Sequence, residues 1–294
     1  MLYGSAPMAP EWIAKTIEAF PNVEVCQGYG LTETAPILTY LDFEVRPGER
    51  TLSYAQLAAG TRAVAARLAD HVTSGERALL LYPPGLDYIV AFLGCLRAGV
   101  IAVPAYPPDL ARLARTLPRL RAIAADAEIG VVLTTRPIAG LADAMLAQAP
   151  ELARARWLPT DGLDASEGLS WRDCPANPRA PAFLQYTSGS TSSPRGVVLS
   201  HDNLMANQAM IQARFGHRAG DVVAGWLPLY HDMGLIGNVL QPLYLGLQCV
   251  LMAPHAFLQR PTRWLEAITR FRATTSGGPN FAYDLCVRKV ADDE

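Results

Sequence analysis

Short apolar segments alternate with helical segments along the middle of the chain, and this order constrains the fold more than any other feature. Three predicted strands are separated by two predicted helices, in the order 78–82, 86–98, 100–103, 110–126 and 131–135. Gly99 follows the first helix, where a glycine commonly ends a helix in the left-handed conformation. Strands that are connected by helices in this way indicate a parallel sheet that is covered on both faces.

A further helix is predicted before this order begins. Ser53 and Gln56 have the spacing of a capping box at a helix N-terminus. The positions that then share one helical face are Leu57, Thr61, Val64, Leu68 and Val72. Residues 136–180, by contrast, are rich in Ala, Pro and Asp, and we expect surface helix and loop there.

The second half of the chain repeats the alternation. Predicted strands cover 182–186, 197–199, 222–227, 249–252 and 273–276. Predicted helices cover about 200–215, 234–245 and 262–271, and a last one begins at about 280. Ser200 or Asp202 can cap the first of these helices, and Pro261 suits the first turn of the third.

Composition excludes several classes of protein. Of 294 residues, 50% are apolar and 18% are charged, which is typical of a globular chain. The net charge of −2, without a basic block, argues against a nucleic-acid partner. Arg97 interrupts the apolar stretch 88–106, so we expect a buried helix and strand there and no membrane span. The five cysteines form no Cys-x-x-Cys pair and the first residues form no signal peptide, so we expect free thiols and a cytoplasmic location.

Residues 186–197 read Tyr-Thr-Ser-Gly-Ser-Thr-Ser-Ser-Pro-Arg-Gly-Val and lie between two apolar, β-prone runs. The stretch offers backbone N–H groups, hydroxyl groups and the cation of Arg195, a combination that suits a polyanion such as a phosphate chain. It is not a Walker A loop, because no Gly-Lys-Ser/Thr closes it. A flexible Ser/Gly linker is the alternative, but a linker needs no buried strand on either side.

This stretch resembles the phosphate-binding signature of the AMP-forming acid ligases, which include acyl-CoA synthetases, luciferases and peptide-synthetase adenylation domains. The resemblance implies an α/β fold of two doubly wound, mostly parallel sheets with covering helices. It also implies that ATP phosphates are bound by Thr187, Ser188, Gly189, Ser190, Thr191 and Arg195. The chain departs from the signature at Ser192, usually a glycine, and at Arg195, usually a lysine. Arginine keeps the charge but is planar and bidentate, whereas Ser192 does not suit a backbone conformation that only glycine accepts.

His231 lies in a second segment that carries chemistry, 226–237, between a predicted strand end and a predicted helix. Ligands of open α/β folds bind at the carboxyl ends of the strands; a histidine that only packs a turn is the alternative. The string His-Asp-Met-Gly-Leu-Ile-Gly, with Gln-Pro-Leu-Tyr shortly after it, is most similar to fatty acyl-AMP ligases. The resemblance implies a catalytic His231 beside the acyl-adenylate.

Residues 276–285, Ser-Gly-Gly-Pro-Asn-Phe-Ala-Tyr-Asp-Leu, follow another predicted strand end. Two glycines allow the backbone to approach a ligand closely, and Phe281 and Tyr283 could wall an apolar tunnel; a Gly-Pro turn with core aromatics is the alternative. The resemblance to the same ligases implies an acyl pocket formed by Gly277, Gly278, Pro279 and Phe281. Residues 255–260 also match these ligases, and we expect them to serve packing only.

The head of the chain contains a segment that is out of the family's order. Residues 28–34 read Gly-Tyr-Gly-Leu-Thr-Glu-Thr, which looks like the family's adenine and magnesium segment. In the family this segment follows the Gly-Gly-Pro-Asn stretch, whereas here it comes first. The resemblance implies contacts to adenine and AMP from Tyr29, Gly30 and Thr32. It further implies that Glu33 holds Mg²⁺ through carboxylate oxygen.

The predicted domain organisation follows from this displacement. The divisions are a head segment, 1–38, and a partial N-terminal AMP-binding domain, 39–294, with a first half, 39–180, and a phosphate-loop half, 181–294. We expect a strand at 23–27 to join the second sheet and to bring Glu33 near the phosphate loop; otherwise the head segment is a fusion remnant. Because the sequence ends at residue 294, we expect the family's ribose-binding Asp, its hinge and its C-terminal domain with the catalytic Lys to be absent.

The resemblance implies a reaction in which a fatty-acid carboxylate attacks the α-phosphate of ATP. Pyrophosphate leaves and an acyl-adenylate forms, with Mg²⁺ as cofactor. The expected partners are the fatty acid and an acyl carrier protein or polyketide synthase that receives the acyl group. Two alternatives remain open: a fatty acyl-CoA ligase, which the Leu-Thr-Glu at 31–33 favours, and a truncated fragment without catalytic activity.

Overall fold

The computed structural model describes residues 2–3, 26–27, 37–42, 48–106, 113–173, 177–187 and 194–290. The strands are β1 (Leu2–Tyr3), β2 (Cys26–Gln27), β3 (Ile37–Asp42), β4 (Gly48–Ser53), β5 (Arg77–Leu81), β6 (Ile101–Ala105), β7 (Val131–Thr134), β8 (Arg156–Pro159), β9 (Pro181–Thr187), β10 (Arg195–Ser200), β11 (Val222–Gly225), β12 (Gln248–Met252) and β13 (Thr275–Ser276). The α-helices are α1 (Tyr54–Ala69), α2 (Leu86–Ala98), α3 (Leu113–Asp126), α4 (Arg136–Ala139), α5 (Ala142–Leu146), α6 (His201–Phe215), α7 (Gln241–Leu245), α8 (Pro254–Gln259), α9 (Thr262–Phe271) and α10 (Asn280–Lys289). A π-helix spans Met233–Leu240, and 3-10 helices span Pro150–Leu152 and Ala165–Gly168.

The first sheet has the strand order β10-β9-β6-β5-β7-β8. Its strands are parallel except for the antiparallel hairpin of β9 and β10. Strand β5 is apolar after Arg77, and Leu79, Leu80 and Leu81 are fully buried. A run of this kind is expected where helices cover both faces of a parallel sheet.

The second sheet has the order β13-β11-β12-β3-β4 and is parallel except for the hairpin of β3 and β4. Its core includes the fully buried Leu38 and Cys249, which are partners in the register of β3 and β12. The prediction of two mostly parallel sheets with covering helices is therefore confirmed.

Each sheet takes strands from both predicted halves, so 39–180 and 181–294 do not correspond to the two sheets. Strands β3 and β4 come from the start of the chain but pair beside β12. Strands β9 and β10 come after residue 180 but extend the first sheet beside β6. The division at residue 180 stays a prediction, but the sheets do not follow it, because strands that are far apart in sequence can pair in one sheet.

Strand β2 covers only the end of the predicted strand 23–27, and it lies in neither of the large sheets. It pairs with β1 in parallel, with Leu2 opposite Cys26. The prediction that this strand joins the second sheet is wrong for residues 26–27, because their ladder partner comes from the head segment itself. Residues 23–25 and Glu33 lie outside the described residues.

Helix boundaries follow local capping chemistry, as the sequence predicts. Ser53 and Gln56 form the capping box of α1, and Gly99 ends α2 with φ of 68°. Ser200 caps α6 through the N–H of Asn203. Strand β8 was not predicted; it is a short edge strand that ends in a proline, as edge strands tolerate. None of the described helices is long and apolar enough to cross a membrane.

Candidate active site

The candidate site lies at the carboxyl ends of the parallel strands. Strands β11, β12 and β13 are mutually parallel, so the segments that begin at Trp226, Ala253 and Gly277 leave the second sheet at one edge. Strand β9 runs parallel to β6, so the segment after Thr187 leaves the first sheet at its carboxyl edge. This is the edge at which open α/β sheets bind ligands.

The predicted phosphate loop is the connection of a hairpin. Thr187 and Arg195 face each other in the antiparallel register of β9 and β10, and both are exposed. The hairpin confirms that two strands flank the hydroxyl-rich stretch. Four predicted phosphate ligands, Ser188, Gly189, Ser190 and Thr191, lie outside the described residues.

Tyr186 anchors the first strand of this hairpin. Its hydroxyl donates to Oδ2 of Asp126 at 2.5 Å, and burial, followed by this hydrogen bond, raises the pKa of the hydroxyl. The ring lies against Gly196, where a Cβ atom would come within 2.9 Å of Cζ. The stem of the loop is thus rigidly held where it meets the sheet.

His231 lies in a turn that joins the two sheets. Gln185, in β9, donates from Nε2 to the carbonyl oxygen of Tyr230 at 3.0 Å. The hydroxyl of Tyr88, whose pKa is raised by burial, donates to the carbonyl oxygen of Leu229 at 2.8 Å. The structure therefore brings the turn of His231 next to the strand that carries the phosphate-loop stem.

The side chain of His231 is exposed, with 65% of its surface accessible, and its Nδ1 lies 2.5 Å from Oδ1 of Asp232. The same Asp232 oxygen accepts a hydrogen bond from the N–H of Met233 at 2.7 Å, at the start of the π-helix. The role of His231 stays a prediction: the imidazole is exposed, and its contact with Asp232 also fits a histidine that only packs a turn.

The helix after His231 is a π-helix, whereas the sequence predicts a single helix over 234–245. Gly234 lies so close to the preceding turn that a Cβ atom would be 2.1 Å from the carbonyl oxygen of Pro228. The side chain of Asn238 lies against Gly225: a Cβ atom on Gly225 would be 2.1 Å from Nδ2 of Asn238. These two approaches accompany the wider turn, and such turns are frequent at functional sites.

Two of the four predicted acyl-pocket residues, Gly278 and Phe281, lie against Trp226. A Cβ atom on Gly278 would be 2.9 Å from Cζ2 of Trp226, and the Phe281 ring meets the Trp226 ring edge-on at 6.1 Å. Phe281 is 51% exposed. Pro279 has extended backbone angles and caps α10, and Gly277 lies directly before this contact. The four residues are brought together, and Trp226 is the neighbour that the sequence did not single out.

Phe257 stacks on the other side of this cluster, with its ring 4.0 Å from that of Trp226. It is fully buried. The expectation that 255–260 serves packing is confirmed for Phe257, which packs on Trp226.

Several residues at the site were missed. Gln185 and Tyr230 connect the loop stem to the His231 turn; a glutamine inside the apolar run 182–186 is the signal that could have pointed to it. The adenine residues Tyr29, Gly30 and Thr32 and the magnesium residue Glu33 lie outside the described residues. Among the residues that are described, no group of three or more His, Cys, Asp or Glu side chains could hold a metal ion.

A sequence profile of the AMP-binding enzyme family matches residues 40–294. The chain is 44% identical over 245 residues to the medium-chain-fatty-acid–[acyl-carrier-protein] ligase JamA of Moorena producens, a match that covers 83% of this chain and 41% of the relative. It is 40% identical to the long-chain-fatty-acid–AMP ligase FadD23 of Mycobacterium tuberculosis, covering 87% of this chain and 45% of that protein. A fatty acyl-adenylate ligase from L. pneumophila, solved with acyl adenylate and pyrophosphate, superposes with a TM-score of 0.78 at 37% identity, covering 96% of this chain and 46% of that one. The chain thus spans less than half the length of these proteins.

Proposed function

Because this chain belongs to the AMP-binding enzyme family, we propose that it takes part in the ATP-dependent activation of a fatty acid to an acyl-adenylate. The observation that carries the proposal is the contact between the two segments that leave the carboxyl edges of the two sheets. The Gln185–Tyr230 hydrogen bond, 3.0 Å long, joins the phosphate-loop stem to the turn of His231. A site that must align a carboxylate with a triphosphate needs such a rigid connection between its two binding segments.

In the proposed reaction, a carboxylate oxygen of the fatty acid attacks the α-phosphorus of ATP. The bond from this phosphorus to the bridging oxygen breaks, and the electron pair leaves with pyrophosphate. Both the attacking and the leaving groups are anionic, so the protein acts mainly through alignment and charge neutralisation. Residues 187–191 and Arg195 hold the β- and γ-phosphates, and His231 lies beside the forming adenylate.

The acyl chain is assigned to the segment of Gly277, Gly278, Pro279 and Phe281. Gly278 brings the backbone close to Trp226, and the half-exposed Phe281 provides an apolar wall. Tyr29, Gly30 and Thr32 are proposed to contact adenine and AMP. Mg²⁺, if held by Glu33, supplies positive charge to the phosphates.

An acyl carrier protein is the proposed acceptor of the acyl group. The relatives JamA and TtuA are both named as medium-chain-fatty-acid–[acyl-carrier-protein] ligases. A carrier domain of a polyketide synthase is a further proposed acceptor, since it would receive the acyl group in the same way. The second candidate is transfer to CoA, since a Mycobacterium protein that is 38% identical is named as a putative fatty-acid–CoA ligase, FadD21.

The test is fatty-acid-dependent exchange of labelled pyrophosphate into ATP, measured with this chain. We expect exchange that depends on added fatty acid and falls by about 10²–10³ in His231→Ala, the usual cost of losing one group at such a site. His71→Ala is the matched control, because His71 bonds Arg156 away from this turn. Absence of exchange in the wild type would favour a non-catalytic fragment. Formation of acyl-CoA in preference to acyl-carrier-protein product would favour the second candidate.

A further inference from the structure

Arg119 reaches the stem of the phosphate loop from the neighbouring helix. Its side chain is exposed in α3, and its Nη2 donates a hydrogen bond to the carbonyl oxygen of Tyr186 at 3.3 Å. Tyr186 immediately precedes Thr187, which pairs with Arg195 across the hairpin. The guanidinium of Arg119 is therefore held beside the first residue of the loop.

The position of this guanidinium is well defined because α3 holds Tyr186 at two points. The tyrosine hydroxyl donates to Asp126, at the end of the same helix, at 2.5 Å. The tyrosine ring also lies against Gly196 on the facing strand. Through Arg119 and Asp126, α3 thus contacts both the carbonyl oxygen and the hydroxyl of Tyr186, which keeps Arg119 close to the stem of the loop.

Arg119 carries a charge that no described carboxylate neutralises. Arg121, two residues along the same helix, is instead bound by both oxygens of Glu151 at 2.7–3.0 Å. Burial raises the pKa of the Tyr230 hydroxyl, and the positive charge of Arg119 acts in the opposite direction. A cation with no carboxylate partner among the described residues thus lies at the loop stem, close enough to Tyr230 to affect its hydroxyl.

We propose that Arg119 is a second phosphate-binding residue of this site, which donates to an oxygen of the ATP β- or γ-phosphate and of the departing pyrophosphate. A guanidinium has five N–H donors, and the bond to Tyr186 uses one of them. Arg119 contacts Tyr186, the residue before Thr187, and Thr187 pairs with Arg195 across the hairpin, so in this proposal the two arginines share the anion. Arg119 transfers no proton, since a guanidinium stays charged; it only neutralises the charge that the leaving group gains. This proposal rests on the proposed function.

The test is titration of inorganic pyrophosphate with Mg²⁺ into this chain by calorimetry. We expect Arg119→Gln to bind pyrophosphate about tenfold more weakly, which is the typical effect of losing one charge-assisted hydrogen bond. Arg119→Lys keeps the charge and should fall between the wild type and Arg119→Gln. Arg121→Gln, whose arginine is already paired with Glu151, should bind as the wild type does.

Tyr186→Phe distinguishes binding from positioning, because it releases Tyr186 from Asp126 and leaves all charges near the loop in place. We expect its affinity for pyrophosphate to fall clearly less than that of Arg119→Gln, because Arg119 and its bond to the Tyr186 carbonyl oxygen remain. Unchanged binding in Arg119→Gln would overturn the role of Arg119 and leave the proposed function intact. Equal loss in Arg119→Gln and Tyr186→Phe would also overturn it, since Arg119 would then act only by holding the stem. A wild-type chain that binds neither pyrophosphate nor ATP would overturn both proposals.

Discussion

At the residue scale, the two glycines of the predicted acyl pocket differ in what a side chain at their position would contact. Gly278 lies against the indole of Trp226, whereas the nearest atom to a Cβ on Gly277 is the Tyr283 hydroxyl at 3.9 Å. A Cβ atom would therefore be too close to Trp226 at Gly278, whereas there is room for one at Gly277. The sequence predicted that the pair approaches a ligand, but it did not predict the tryptophan that makes Gly278 necessary.

Gly278→Ala should destabilise the fold, because its Cβ atom would lie 2.9 Å from Cζ2 of the buried Trp226. Overpacking of this kind costs about 1–3 kcal/mol. The measurement is the free energy of unfolding in urea. Gly277→Ala is the matched control and should stay within about 1 kcal/mol of the wild type. Equal stability of the two variants would contradict the close packing on Trp226.

At the element scale, the helices with strong end signals were predicted best. The capping box of α1 and the glycine after α2 are local signals, and the structure confirms both. The π-helix over 233–240 was predicted as ordinary helix, since its apolar pattern does not distinguish the two; close approaches at Gly234 and Gly225 accompany it in the structure. Edge strand β8 was missed for a related reason: its short run ends in proline and gains stability only from pairing with β7.

Ser200→Ala should destabilise α6, since it removes both the acceptor for the Asn203 N–H and the hydroxyl bonded to the Asn203 side chain. Loss of a helix cap of this type costs about 1 kcal/mol. The shift in the urea midpoint measures it. Ser200→Thr retains the cap oxygen and should recover most of the loss; a threonine variant as unstable as the alanine variant would argue against capping.

At the scale of the whole molecule, each large sheet is completed by a pair of strands from the other part of the chain. Strands β3 and β4 complete the sheet of the later strands, and β9 and β10 complete the sheet of the earlier ones. The alternation of strands and helices predicted both sheets but not this exchange, since parallel pairing between residues far apart in sequence leaves no local signal. The exchange makes the sheets interdependent, and the candidate site lies where Gln185 of the first sheet bonds the turn that follows β11 of the second.

Tyr88→Phe tests that interdependence, because the Tyr88 hydroxyl links α2 to the carbonyl oxygen of Leu229 at 2.8 Å in a buried position. Its removal leaves a buried carbonyl unsatisfied, which costs about 1–3 kcal/mol. Tyr106→Phe is the control, as Tyr106 is half-exposed and meets Tyr230 through its ring at 5.2 Å. Unfolding followed by urea should show a clear loss for Tyr88→Phe and almost none for Tyr106→Phe; the reverse order would contradict the coupling.

The measurement that tests the account most directly is calorimetric titration of Mg-ATP into this chain and into Arg195→Gln and Thr187→Ala. The hairpin of β9 and β10 pairs these two residues at the mouth of the loop. Binding of one ATP per chain, weakened about tenfold or more in Arg195→Gln, is the result that we predict. No heat with the wild type, or the same affinity in all three proteins, would contradict the assignment of this loop to the nucleotide phosphates.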